Sequence, residues 1–142
     1  MRLTPEEIIE FLNQNPVFSL ATMEGTQPRV RTMLLYRADA KGLIFHTGTR
    51  KEMHLQLQLN PAVELCFYSA NQGLQFRISG KALLEEDLEL KKEIVEKHDF
   101  LKPLVESEGY KSLAVYRVTG CVATPWSLAS IGAPKEYIPI TE

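Results

Sequence analysis

The chain has 142 residues, the length of one domain and enough to bury a core. Sixteen Lys and Arg against eighteen Asp and Glu leave a formal charge of −2, which argues against a protein that coats nucleic acid or an anionic membrane. With 44% hydrophobic and 24% charged residues the composition is that of a folded soluble domain, and Cys66 and Cys121, far apart and outside any C-x-x-C, exclude a disulfide scaffold or zinc knuckle.

The first predicted element is a helix. Thr4 with Glu7 makes a capping box, Pro5 suits the first helical position, Ile8, Ile9, Phe11 and Leu12 give an apolar stripe, and Pro16 stops it. The residues before it lack the apolar core of a signal peptide and are acidic where a transit peptide would be basic, so the expected location is the cytoplasm. Strand patterns follow at Val17–Met23 and Pro28–Ala38, with Glu24-Gly25 as the turn between them, and at Leu43–Thr47 after Asp39-Ala40-Lys41-Gly42.

From Met53 to Leu59 hydrophobic residues alternate with His54, Gln56 and Gln58, the period of a strand. The residue types are helix formers without β-branching, and Thr49 with Glu52 forms a second capping box, so this segment is expected to be helical. Ala62–Ser69 and Leu74–Leu84 read as strands around Asn71-Gln72-Gly73. Glu85–His98 reads as a helix with an acidic first turn, and Ser112–Ala123 as the last strand before a Pro-containing tail. Six strands joined by short turns, with helices inserted, suggest a mainly β, α+β domain: a small antiparallel barrel or sheet, with residues 1–142 as one unit.

Two places carry chemistry. A helix capped by Thr49 would open on unpaired amides and a partly positive dipole end, a poor place for Arg50 and Lys51 unless an anion binds there; the alternative is two solvated charges on a surface helix. Arg29 and Arg31, two apart in a strand, share a face with Met33 and Leu35, and a guanidinium at the end of an apolar face takes a carboxylate or a bound anion unless it lies in an exposed, frayed start. His46, His54 and His98 show no metal-ligand spacing, and no serine hydrolase, P-loop or Rossmann motif is present. Cys66 is expected as a buried small hydrophobe, and Trp126 and Tyr137 as packing residues of the tail.

The ordered segments Phe18-Ser19-Leu20-Ala21-Thr22, Pro28 to Tyr36, Phe45-His46-Thr47, Thr49-Arg50-Lys51, Asn60-Pro61-Ala62-Val63 and Gln75 to Ala82 resemble the pyridoxamine 5′-phosphate oxidase-like family of FMN-binding split β-barrels. That resemblance implies a six-stranded antiparallel split β-barrel with flanking helices and a homodimer with FMN at the subunit interface. It implies flavin contacts from Arg31 to the phosphate, from Thr32, Met33, Leu34 and Leu35 along the ring, and from His46, Thr47, Thr49, Arg50, Lys51 and Gln75. The family's lysine at the end of R-x-x-L-L-K, which helps hold the phosphate of a vitamin B6 substrate, is Tyr36 here, and the C-terminal R-x-H motif is missing.

The expected function is therefore FMN-dependent oxidation or reduction of a small molecule other than pyridoxamine phosphate, with Tyr36 and His46 as candidate substrate contacts. A flavin carrier or sensor without turnover, a haem-binding relative and a barrel gripping single-stranded nucleic acid through Arg29, Arg31 and Arg37 are the competing readings, the last opposed by the charge of −2.

Overall fold

The computed structural model describes residues 2–142. Helix α1 (Pro5–Gln14) begins as its sequence dictates. The Thr4 hydroxyl accepts from the Glu7 N–H at 3.2 Å, and the Glu7 carboxylate accepts from the Thr4 N–H at 3.0 Å. Ile8, Phe11 and Leu12 are buried.

Eight antiparallel strands follow: β1 (Val17–Glu24), β2 (Gln27–Leu34), β3 (Arg37–Asp39), β4 (Gly42–Gly48), β5 (Ala62–Ser69), β6 (Leu74–Glu85), β7 (Leu113–Ser127) and β8 (Ile138–Pro139). Their order is β2-β1-β5-β6-β7-β4-β3, with β8 beside β7. The six expected strands are β1, β2, β4, β5, β6 and β7; β3 and β8 are short additions.

The expected strand Pro28–Ala38 is divided because its backbone changes partners. The Leu35 N–H bonds to the Pro16 carbonyl at 2.8 Å and the Tyr36 N–H to the Ile44 carbonyl at 2.8 Å, carrying the chain from one edge of the sheet to the other. β2 and β3 are thus adjacent in sequence but unpaired, and the curled sheet stays open, a split barrel. Asn13 of α1 covers the β3 edge, its amide donating to the Ala38 carbonyl and accepting from the Ala38 N–H, both at 2.9 Å. Helix α2 (Glu52–Leu59) packs against both β1 and β4.

The barrel interior is aromatic. Phe18 stacks on Phe67 with centroids 5.0 Å apart, Phe45 stacks on Tyr116 at 5.7 Å, and Phe11 meets Phe76 edge-on at 4.9 Å. A second cluster of Ile44, Leu113 and Val115 from the sheet and Leu90, Ile94 and Val95 from α3 (Leu88–Lys97) lies on the opposite face of β4, with α4 (Lys102–Glu108) alongside.

The helix expected from Glu85 starts later: Glu85 ends β6 and pairs with Arg117 at 2.6 Å, and Asp87 is the cap, its carboxylate accepting from the Glu89 N–H at 3.0 Å. Cys66 differs from expectation as well, being half-buried on the outward row of β5, while Cys121 is buried; both are free thiols. Among the described residues no helix is long and apolar enough to cross a membrane.

Candidate anion site and its surroundings

Alternation along β2 sends Arg31 and Met33 inward, opposite Leu20 and Phe18 of β1, and sends Thr32 and Leu34 outward. Leu35, past the end of β2, is buried. Arg31 reaches across β1 toward α2. Its Nη1 donates to the Thr22 hydroxyl at 2.7 Å and more weakly to the Leu20 carbonyl at 3.3 Å, and its Nη2 donates to Gln56 Oε1 at 2.8 Å. No carboxylate lies within ion-pair distance of this guanidinium among the described residues, and burial lowers its pKa from the ordinary value. Arg31 is thus a half-buried cation satisfied only by neutral acceptors. Arg29, on the same face, is exposed and bound to Glu24 at 2.8 Å.

The start of α2 departs from the expected capping box. Thr49 does not cap: its N–H is drawn to the Ser112 carbonyl at 3.0 Å, continuing the pairing of β4 with β7. Lys51 is the cap residue instead, with no side-chain capping bond, and Glu52 opens the helix. Lys51 is exposed and has no ion pair among the described residues, whereas the Arg50 side chain, 87% exposed, pairs with Glu108 of α4 at 2.5 Å. Arg31 holds the helix through Gln56, five residues beyond Lys51, so the two cations meet α2 about 7.5 Å apart along its axis. The structure brings Arg31 and Lys51 to the same helix and turns Arg50 toward α4.

Gln75 lies elsewhere. It pairs with Tyr68 of β5 and Trp126 of β7 and points outward, on the face opposite Arg31. Three strand spacings separate β6 from β2, roughly 14 Å. The outward face of β2, β1 and β5 is apolar without a cover: Val17, Val30, Leu34 and Tyr68 are 45% to 71% exposed.

Thr47 is half-buried and pairs with Ala114, while His46 turns to the other side of β4, toward α3. There its ring sits 5.9 Å from that of His98, which also meets Tyr36 at 5.8 Å and the exposed Phe100 at 5.4 Å. Burial first, and the neighbouring His98 second, pull His46 down to about 4. The Tyr36 hydroxyl donates to Glu93 of α3, and Arg37 donates to the same carboxylate at 3.1 Å. Burial and then Glu93 push the tyrosine up to about 12.

Sequence reasoning missed Thr22, Gln56 and Glu93, the residues that hold Arg31 and Tyr36. A signal existed for Gln56. In a helix, positions 53, 56 and 57 share a face, and a glutamine on a face with Met53 and Leu57 is buried and needs a partner.

A family model described as pyridoxamine 5′-phosphate oxidase matches residues 4–119. A pyridoxine/pyridoxamine 5′-phosphate oxidase of Rubrobacter xylanophilus is 35% identical over 66 residues, 46% of this chain and 30% of that protein. The chain spans about a third of the length of the curated relatives it matches. Among solved structures, a NimC/NimA family protein from Clostridium acetobutylicum superposes with a TM-score of 0.76 at 27% identity, covering 94% of this chain and 91% of the other. A protein from Mesorhizobium loti described as FAD-binding has a TM-score of 0.62 at 19% identity, covering 82% and 88%.

Proposed function

The chain belongs to the pyridoxamine 5′-phosphate oxidase family, and on that premise we propose that it is an FMN-binding oxidoreductase acting on a small molecule that carries no phosphate. The observation that carries this reading is Arg31. A half-buried guanidinium held by Thr22 and Gln56, with no carboxylate among the described residues to neutralise it, fits a phosphate monoester by charge and by fork geometry. Lys51 at the head of α2 adds a second unpaired cation and the helix dipole. Thr32 to Leu35 would run along the ring, and Thr47 and Thr49 would border the phosphate end, which Arg50 would reach only on leaving Glu108.

FMN is favoured over a dinucleotide by the groove of about 470 Å³ beyond Gln56, where the carboxylate of Glu52 would disfavour a second phosphate. Homodimerisation is supported by the uncovered apolar face of β2, β1 and β5 and by the placing of Gln75. Three strands from Arg31 and on the other face, Gln75 of one protomer is better placed to meet a flavin held by its twofold mate. Bound flavin supplies the hydride or electron transfer, so the chain needs no acid–base dyad of its own. Its own residues bind and orient, and Met33 and Leu35 keep water from the site.

At the position of the family's phosphate-holding lysine stands Tyr36, whose hydroxyl is committed to Glu93; that side chain offers a substrate phosphate no cation. His46, beneath α3, is neutral and in reach of the same end of the site. The protein is proposed to act in the cytoplasm with residues 1–142 as one flavin-binding unit.

The test is spectroscopic. Protein purified without added flavin should show the oxidised-flavin spectrum, lose it with NADH or NADPH, and regain it with an acceptor. Binding without reduction by either donor would favour a carrier.

A further inference from the structure

Thr22 and Gln56 are 1% and 4% exposed, deep positions for two polar side chains. They form a closed triangle with Arg31. The Thr22 hydroxyl donates to Gln56 Oε1 at 2.6 Å, Arg31 Nη1 donates to the Thr22 oxygen at 2.7 Å, and Arg31 Nη2 donates to Gln56 Oε1 at 2.8 Å. Both acceptors grip the outer end of the guanidinium. The other edge of the fork, Nε–H with the second hydrogen of Nη2, is left without a protein acceptor among the described residues, and that edge suits two oxygens of one phosphate.

The carboxylate of Glu24, on the neighbouring strand β1, is taken up by Arg29. Glu24 accepts from Arg29 Nε at 3.1 Å and Nη2 at 2.8 Å, and the Gln56 side chain adds a smaller hydrogen-bonding contribution that helps hold this carboxyl below its ordinary range. With Oε1 accepting from both the Thr22 hydroxyl and Arg31 Nη2, these donors fix the orientation of the Gln56 amide. A glutamate at position 56 would hold the guanidinium equally well, but it would cancel the charge an anion needs.

We propose that Thr22 and Gln56 are positioning residues that set the free edge of Arg31 toward the flavin phosphate while leaving its charge unneutralised, and so determine selectivity for a phosphorylated flavin. This rests on the phosphate reading of Arg31 given above.

The experiment measures dissociation constants of FMN and of riboflavin, which lacks the phosphate, by flavin fluorescence with flavin-free full-length protein. Gln56→Glu should reduce the preference for FMN by about tenfold or more, the scale of one charge-assisted contact, with riboflavin affinity little changed. Thr22→Val, equal in volume, should reduce the same preference several-fold, and Thr22→Ser should restore it. A packing role alone would shift both ligands together. If Gln56→Glu and Thr22→Val keep the wild-type preference while Arg31→Ala abolishes it, the positioning proposal is overturned and the phosphate reading stands. If Arg31→Ala also keeps it, both fall.

Discussion

The hydroxyl of Tyr36, in the link between β2 and β3, donates to Glu93 on α3 at 2.5 Å, joining that link to the helix that covers β4. Arg37 donates to the same carboxylate, and the Tyr36 ring has Arg37 and Lys97 at 5.6 and 5.7 Å. The hydrogen bond from Tyr36 is the largest influence holding the Glu93 carboxyl below its ordinary range.

Tyr36→Phe should therefore raise the Glu93 pKa toward the ordinary carboxylate value, read by side-chain carbon NMR against pH. Because the folded-state pKa is depressed, the contribution of this carboxylate to stability is present above its unfolded pKa and lost as pH falls through the folded one. The pair is partly exposed, so the loss of unfolding free energy at neutral pH should be about 1 kcal/mol or less. An unmoved Glu93 titration would contradict the assignment.

His46 gives a second pH dependence. Its folded pKa of about 4 lies below that of the unfolded chain, so the unfolded state takes up the proton first and stability is lost as pH falls from about 6.5 toward 4, by about 3 kcal/mol at most. His46→Phe should flatten this part of the curve. Urea unfolding at pH 7 and pH 4.5 on both proteins cancels the carboxylates they share; equal slopes would show that His46 carries none of the effect.

Gly42 opens β4 at φ +146°, and a Cβ there would sit 2.5 Å from the Val118 carbonyl oxygen and 2.7 Å from the Arg117 side chain. Gly42→Ala should cost about 3 kcal/mol, combining backbone strain with displacement of a strand. The urea midpoint checks it, and a change under about 0.5 kcal/mol would mean that β4 and β7 separate freely there.

Leu34 and Val30 stand on the uncovered face of the sheet. Leu34→Glu with Val30→Glu should convert the proposed dimer to monomers, because burying a carboxylate without a partner is costly. Light scattering after size exclusion reads the mass; a doubly substituted protein that stays dimeric would place the seam on another face.

Much of the fold was legible in the sequence where local chemistry and tertiary structure agree. Thr4, Glu7 and Pro5 start α1 as the capping rules require, and the alternation around Arg31 places it on the inward face. The failures share one cause. Thr49 has the credentials of a cap, but its N–H is claimed by Ser112, 63 residues later, so the helix begins at Glu52. The break after Leu34 likewise depends on carbonyls of Pro16 and Ile44, which no local pattern announces. At the site, Arg31 was readable as a strand guanidinium that takes a carboxylate or an anion unless exposed, while Thr22 and Gln56, which hold it, come from two other elements and look unremarkable in the chain.

A phosphate should seek Arg31, which no carboxylate among the described residues neutralises, and calorimetric titration of flavin-free wild-type protein with FMN and with riboflavin reads that preference. FMN should bind at least about tenfold more tightly, the least that charge-assisted phosphate contacts contribute. Equal affinity for the two flavins would contradict the account.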